Sequence, residues 1–414
     1  MIKCLRILFL SLMVFTPLWL YSQQECRVRL CFAGDLMQHG KQIRSARQQD
    51  GSYLYDTCFV FVKEHLKEAD LTGMNIETTF SGPPYSGYPS FSSPNELAVA
   101  IQKSGVNLFL TANNHILDKG ARGAIRTVAL YDSLGILHCG TINPWIIVKR
   151  NGIRIAVLNY TYSSNHHIPA DEFPVNRTDT LIIRRHIREV REKGVDCIIC
   201  CMHWGTEYQL QPSGMQRSLA DWLYNAGITA VIGSHPHVPQ SIEVRKGQNG
   251  KIEFMTAYSL GNFISNQPEP FSRMGLLLSF DIVLTETGPC IESPWYEWIW
   301  TWQAVDQGKL LYHVLPVSDP RLYRKLLKDP SDTINIFKTI KTLRNFMRET
   351  SPGINERRRY PPYERENLYF GNHPSCHPVW ARQPLLAPVK KSLSPIEDRR
   401  KGRTDQSTGT PGNH

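Results

Sequence analysis

Long apolar runs are scarce in this chain. Beyond the first two dozen residues no segment is apolar enough to span a bilayer, which excludes a multi-pass membrane protein. No internal repeat is visible, so a solenoid or repeat array is excluded. Charged residues make up only 20% of the 414 residues, whereas 41% are hydrophobic, enough for a substantial core and a prior of one large domain or two medium ones. The ten cysteines are irregularly spaced, and their number is odd once Cys4 is set aside with the N-terminal segment, which argues against a disulfide scaffold. Cys197, Cys200 and Cys201 fall in a run that reads as a buried strand, so they are expected to act as small hydrophobes and not as redox or zinc-thiolate groups.

What is present begins with Lys3 and Arg6, followed by an uncharged stretch from Ile7 to Tyr21. This reads as a signal peptide over residues 1–22, with an uncleaved anchor as the alternative. The expectation is an exported protein of the periplasm or cell envelope, with any membrane association made through the N-terminus. The net charge of +10 suits anionic polymers or an anionic surface. Residues 351–414 carry 11 Lys/Arg against 6 Asp/Glu and are rich in Pro, Arg, Ser and Gly, so they read as a disordered basic tail. Residues 330–350 read as a terminal helix.

Between these ends, short apolar runs alternate with amphipathic segments, which implies an α/β fold with a largely parallel sheet. From Ser241 to about Val317 strand-like runs follow one another and predict antiparallel pairing. The mixture predicts an α/β sandwich. A helix is expected over Thr57–Glu68, and another starts at Ser93-Pro94 with the serine as cap. Tyr296, Trp298, Trp300 and Trp302 recur with period 2 and share one face, either as core or as an exposed stacking platform.

Five polar motifs each end an apolar run: Gly34-Asp35-Leu36-Met37, Asn75-Ile76-Glu77, Asn113-Asn114-His115, His203-Trp204-Gly205-Thr206-Glu207 and Gly233-Ser234-His235-Pro236-His237. In an open α/β sheet the carboxyl ends of the strands line one crevice, so residues 200 positions apart can meet there. Oxygen and imidazole donors in this mixture suit hard or borderline divalent cations. Each motif alone has a plain structural alternative, such as a turn-capping Asp35 or a core His203. Three consecutive polar groups at Asn113, Asn114 and His115 would be costly to bury without partners, and His115 can serve as a general acid. Glu207 is placed beside the site as a catalytic or orienting carboxylate. Asn75 and Asn262 are expected substrate contacts, with a structural turn as the alternative for Asn262. His39, His166 and His167 are weaker candidates.

Taken in order, with Asn113-Asn114-His115-Ile116-Leu117-Asp118-Lys119-Gly120 and Tyr258-Ser259-Leu260-Gly261-Asn262-Phe263 added, the motifs resemble the CapA family of poly-γ-glutamate capsule biosynthesis proteins, from about Val28 to Asn266. That family is similar to calcineurin-like metallophosphatases. The resemblance implies a four-layer αββα sandwich with mixed sheets over residues 26–320 and a site for two divalent cations of the Mn, Fe, Zn or Mg class. It implies Asp35, Glu77, Asn114, His203, His235 and His237 as metal ligands, and His115 as the acid assisting the leaving group. It further implies a phosphoester or anionic-polymer substrate and a place in a membrane-associated capsule assembly, with no nucleic acid partner. Two positions depart from the phosphatase pattern. Met37 stands where those enzymes carry a histidine, and Asn75-x-Glu77 replaces a Gly-Asp-x-x-Asp motif. An amide hydrolase or transferase acting on poly-γ-glutamate, or a non-catalytic polymer-binding export component, are the alternative functions.

Overall fold

A computed structural model describes residues 26–358 apart from 307, so the expected signal segment and most of the expected tail lie outside the described residues. The first half contains β1 (Arg27–Leu36), α1 (Gly40–Ala46), α2 (Lys63–Lys67), β2 (Leu71–Ile76), α3 (Asn95–Lys103), β3 (Leu108–Leu110), α4 (Gly120–Ser133) and β4 (Leu137–Cys139). The second contains β5 (Trp145–Arg150), β6 (Ile153–Thr161), α5 (Thr180–Glu192), β7 (Cys197–His203), α6 (Gly214–Asn225), β8 (Ala230–Ser234), β9 (Ile242–Lys246) and β10 (Ile252–Ala257). After β11 (Asn262–Ile264) come β12 (Met274–Thr285), β13 (Gly288–Asp306), β14 (Lys309–Pro316), α7 (Pro320–Leu326), α8 (Pro330–Thr350) and β15 (Asn355–Glu356).

The strands form one hydrogen-bonded path in the order β4-β3-β2-β1-β12-β13-β10-β8-β7-β6-β5. β1–β4 pair in parallel, as do β6–β7–β8, while β12 and β13 join the halves in antiparallel pairing. The link between halves is thin, since β10 meets β13 at Ile252 and Ile291.

Side-chain alternation shows how this path folds over. Val28, Leu30 and Phe32 of β1 share a buried cluster with Ile155 and Val157 of β6 and Ile199 and Cys201 of β7. The intervening Cys31 and Ala33 pack outward against Leu97 and Ile101 of α3, and Ala156 and Leu158 pack outward against Ile183 of α5 and Ala220 of α6. The two halves therefore face each other across a common interior, with helices on both outer faces. This is the expected four-layer mixed sandwich, built from one folded-over hydrogen-bonded path.

Local detail differs from expectation in three places. The helix expected over Thr57–Glu68 is broken into a 3₁₀ turn at Asp56–Phe59 and the short α2. Pro94, and not Ser93, caps α3, because the Ser93 hydroxyl is engaged with that of Thr78 at 2.7 Å. The expected tail starts too early: Ile354 is buried in the main core and Asn355–Glu356 pairs with Trp295–Tyr296 of β13. Arg344 of α8 anchors Glu356 from Nε at 2.9 Å. The α8 residues Ile336, Ile340, Leu343 and Met347 enter the same core, so this helix belongs to the sandwich.

The aromatic face of β13 is core. Tyr296, Trp298 and Trp300 are buried, and Trp302 packs on them with its indole N–H donating to Asp332 of α8 at 3.0 Å. An exposed stacking platform is thereby excluded. All eight described cysteines are free thiols, and the three of β7 are buried. Among the described residues no helix is long and apolar enough to cross a membrane.

Candidate metal centre

The five motifs converge because each follows the carboxyl end of a parallel strand. Asp35 lies at the end of β1, Glu77 just after β2, Asn114 and His115 after β3, His203 at the end of β7, and His235 and His237 just after β8. The crevice thus takes residues from both halves of the sandwich, at the strand edge where ligands gather in open α/β sheets.

Close backbone packing sets the two edges of this crevice. β1 skips a residue at Gly34 in its pairing with β2, placing Asp35 opposite Asn75 on one side and Asn262 on the other. A Cβ on Gly34 would sit 1.8 Å from the Gly261 carbonyl oxygen, and one on Gly233 would sit 1.9 Å from that of Tyr258. The turn Tyr258–Asn262 is therefore wedged between the ends of β1 and β8, accepting a hydrogen bond from Asp35 N–H at 2.9 Å and donating one to Gly233 O at 3.1 Å. Neither neighbour is a flexible side chain, so Gly34→Ala is expected to cost at least about 3 kcal/mol, the upper end of overpacking losses. Urea unfolding of the variant checks this.

Asp35, Glu77, His203, His235 and His237 are each 2% exposed or less, and Asn114 and His115 are each 4% exposed. Asn114 Oδ1 lies 2.9 Å from His203 Nε2, and Glu77 Oε1 lies 3.6 Å from the same nitrogen and 3.8 Å from His237 Nε2. His237 Nδ1 is 3.2 Å from Asp35 Oδ2. Three sets of donor atoms close to within 4.8 Å: Glu77-His203-His235, Asp35-Glu77-His237 and Glu207-His235-His237. His235 and His237 adopt φ of +97° and +58°. That region is unfavourable for residues with a Cβ and recurs where a site imposes it.

Burial holds the Glu77 carboxyl well above the usual carboxylate range, and the charges of Asp35, Glu207 and Asp118 push it further. Burial, then the neighbouring imidazoles, holds His203 well below the usual histidine range and pushes His235 down to about 3. Burial thus favours the neutral form of both rings, so the approach of His203 to Glu77 does not act as an ion pair. Glu77 Oε1 and His235 Nδ1 are buried without a hydrogen-bond partner. A buried polar atom left unpaired costs about 1–3 kcal/mol. A buried carboxylate oxygen and a buried imidazole nitrogen without partners, on residues whose donor atoms close to within 4.8 Å of one another, fit a divalent cation.

The amides play a different part from the expected substrate contacts. Asn75 is 1% exposed and its Nδ2 donates to Asp35 Oδ1 at 2.7 Å and Glu77 Oε2 at 3.3 Å. Asn262 is equally buried; its Oδ1 lies 3.1 Å from His237 Nδ1 and its Nδ2 donates to Ser272 O at 2.8 Å. Both hydrogen-bond to the carboxylate and imidazole side chains of the crevice and hold them in place, because each is enclosed by partners on adjacent strands and turns. Ser234 Oγ does the same for His203 Nδ1 at 2.9 Å. The buried Met37 side chain fills the place where the phosphatase pattern has a histidine.

His115 Nδ1–H donates to Asp118 Oδ2 at 2.8 Å, and Phe91 N–H donates to the same oxygen at 2.7 Å. The Phe91 ring packs edge-on against His115 at 4.6 Å. The sequence places Asp118 near the start of the next helix; its spacing of three from His115 also brings its carboxylate within reach of that ring. Glu207 is exposed at the mouth, where Tyr162 packs on His235 at 4.7 Å and Tyr208 lies 6.0 Å from His237. His39 packs against Phe91 at 5.5 Å, while His166 and His167 are exposed.

The fold and site together define a four-layer α/β sandwich with a carboxylate–imidazole centre suited to divalent cations. The sequence pattern of the bacterial capsule synthesis protein PGA_cap matches residues 29–267, more than half of the chain, and the chain belongs to this family. It is 26% identical to the capsule biosynthesis protein CapA of Bacillus anthracis, over 74% of each chain. It is 28% identical to the PGA biosynthesis protein CapA of Bacillus subtilis (strain 168), over 62% of this chain and 68% of that protein. Among solved structures, the calcineurin-like phosphoesterase YfkN of Bacillus subtilis overlaps 66% of this chain and 90% of its own at 12% identity, with a TM-score of 0.38. That superposition is too loose to carry any residue's role across.

Proposed function

We propose that the crevice is a divalent-metal-dependent hydrolytic site acting on a phosphoester, in an exported protein that serves the making or export of an anionic capsule polymer. The observation that carries the metal is that buried Glu77 closes to within 4.8 Å with His203 and His235, and again with Asp35 and His237, while Glu77 Oε1 and His235 Nδ1 have no hydrogen-bond partner. Asp35, Glu77, Asn114, His203, His235 and His237 would hold the cations. Divalent cations there would supply Lewis acidity and make a water acidic near neutral pH. The chain's own residues do the rest. Asn75 fixes the Asp35 and Glu77 carboxylates, Asn262 and Ser234 fix the imidazoles, and His115, steadied by Asp118, gives a proton to the leaving oxygen. The capsule role follows the family and the names of its Bacillus relatives, and poly-γ-glutamate is the polymer those names suggest.

Elemental analysis of the exported full chain, with assay on bis(p-nitrophenyl) phosphate, tests this reading. Stoichiometric metal in the natural protein, with metal and turnover lost together in His235→Ala, is the expected result. A metal-free and inert natural protein would overturn it. A second reading takes the PGA of the Bacillus subtilis relative's name as poly-γ-glutamate and has the same centre act on its amide bonds. Shortening of that polymer on incubation, absent in His235→Ala, would favour it.

A further inference from the structure

The electrostatics of the mouth constrain the substrate beyond its being a phosphoester. Asp35, Glu77, Asp118 and Glu207 place four carboxylates on this crevice. Among the described residues no lysine or arginine makes a hydrogen bond or ion pair to Asp35, Glu77, Asn114, His115, His203, Glu207, His235 or His237. Two divalent cations would cancel four negative charges and leave none in excess. With no positive charge in excess, the crevice offers less to a dianionic scissile group than that group's second charge would require.

Glu207 is placed to enforce that preference. It is exposed, yet its carboxylate lies within 4.8 Å of donor nitrogens of both His235 and His237. Its loop is fastened down. Tyr208 N–H donates to Pro236 O, between those histidines, at 2.8 Å, and Gln267 Nε2 donates to the Tyr208 hydroxyl at 3.1 Å. Gly205 turns the chain at φ +95°, where a Cβ would meet the Gln216 side chain at 2.7 Å. A carboxylate so held repels an incoming oxyanion in proportion to that oxyanion's charge.

We propose that Glu207 is a charge filter that admits a monoanionic phosphodiester and disfavours a dianionic phosphomonoester. This rests on the hydrolase reading above. In the reaction, the oxygen of one water forms the new bond to phosphorus and one ester P–O bond breaks. The leaving oxygen takes the His115 proton and departs as an alcohol, and one water proton passes to solvent. The phosphomonoester left behind loses its second proton near pH 6 and becomes a dianion. Glu207 repels it, so the filter also hastens product release.

The test is calorimetric binding of two stable probes to the metal-loaded full chain at pH 8. Phenylphosphonate is a dianion there and methyl phenylphosphonate a monoanion. Because the Coulomb energy is linear in charge, Glu207→Gln is expected to tighten the monoanion about threefold and the dianion about tenfold, with both gains shrinking at high salt. Metal content is measured on the same samples. Equal shifts for the two probes, no shift for either, or loss of metal in Glu207→Gln would each overturn the filter. If bis(p-nitrophenyl) phosphate is still cleaved in those cases, the hydrolase reading stands. If a fully metal-loaded natural protein binds neither probe and cleaves no ester, both ideas fail.

Discussion

Glu77→Gln is expected to lower metal affinity by more than about 100-fold while making the metal-free protein more stable at neutral pH. Loss of a residue that merely supports a metal ligand costs about 10–100-fold in affinity. Glu77 stands between two ligand groups, so its loss exceeds that range. The second effect follows from burial. The Glu77 carboxyl is held well above the usual carboxylate range, first by desolvation and then by Asp35, Glu207 and Asp118. From the unfolded carboxylate value up to that raised value, the folded metal-free protein binds more protons than the unfolded chain. Its stability therefore falls as pH rises through this window and levels off above it. Glutamine carries no proton to lose, so the variant lacks that fall. In chelator, its melting temperature at neutral pH should exceed that of the natural protein, by about 1–1.5 °C per kcal/mol, because the unfolding entropy grows with chain length. With metal added the order reverses, because binding stabilises only the protein that retains its ligand. Thermal unfolding from pH 4 to 9, with chelator and with metal, tests both halves. An unchanged metal content, or a metal-free variant that melts below the natural protein, would count against Glu77 as a metal ligand.

Much of this centre is legible in the sequence because its physics is local. A buried parallel strand is a run of apolar residues, and a polar residue at or shortly past its end points into the crevice. Asp35, Glu77, Asn114, His203 and His235 all obey that rule. The orienting residues are less legible. Period-2 spacing puts Asn75 and Glu77 on one side of β2, but only the neighbouring strands reveal that the Asn75 amide is spent on Asp35 and Glu77. Asn262 is drawn to His237 by the turn wedged between β1 and β8. The aromatic face of β13 is ambiguous for a similar reason. Period 2 shows that the rings share a face, and α8, some thirty residues on, decides that the face is covered. Short elements such as β11, α1 and α7 hold too few residues to show a period.

His115→Ala is expected to lower turnover of an alkyl phosphoester by about 10²–10⁴-fold, the usual worth of a positioned general acid. Metal content should stay at the natural level, since Asn114, not His115, approaches His203. The size of the loss should depend on the leaving group. An alkoxide is a strong base and needs a proton as the ester bond breaks, whereas p-nitrophenolate leaves readily without one. The variant should therefore keep much of its rate on bis(p-nitrophenyl) phosphate and lose most of it on an alkyl diester. Asp118→Asn should show the same pattern more weakly. Its carboxylate accepts from His115 Nδ1 and from the Phe91 amide, so it sets the ring's orientation without touching the ester. A uniform loss across both leaving groups would instead make His115 a binding residue. Steady-state rates on the two diesters, normalised to bound metal, separate the two roles.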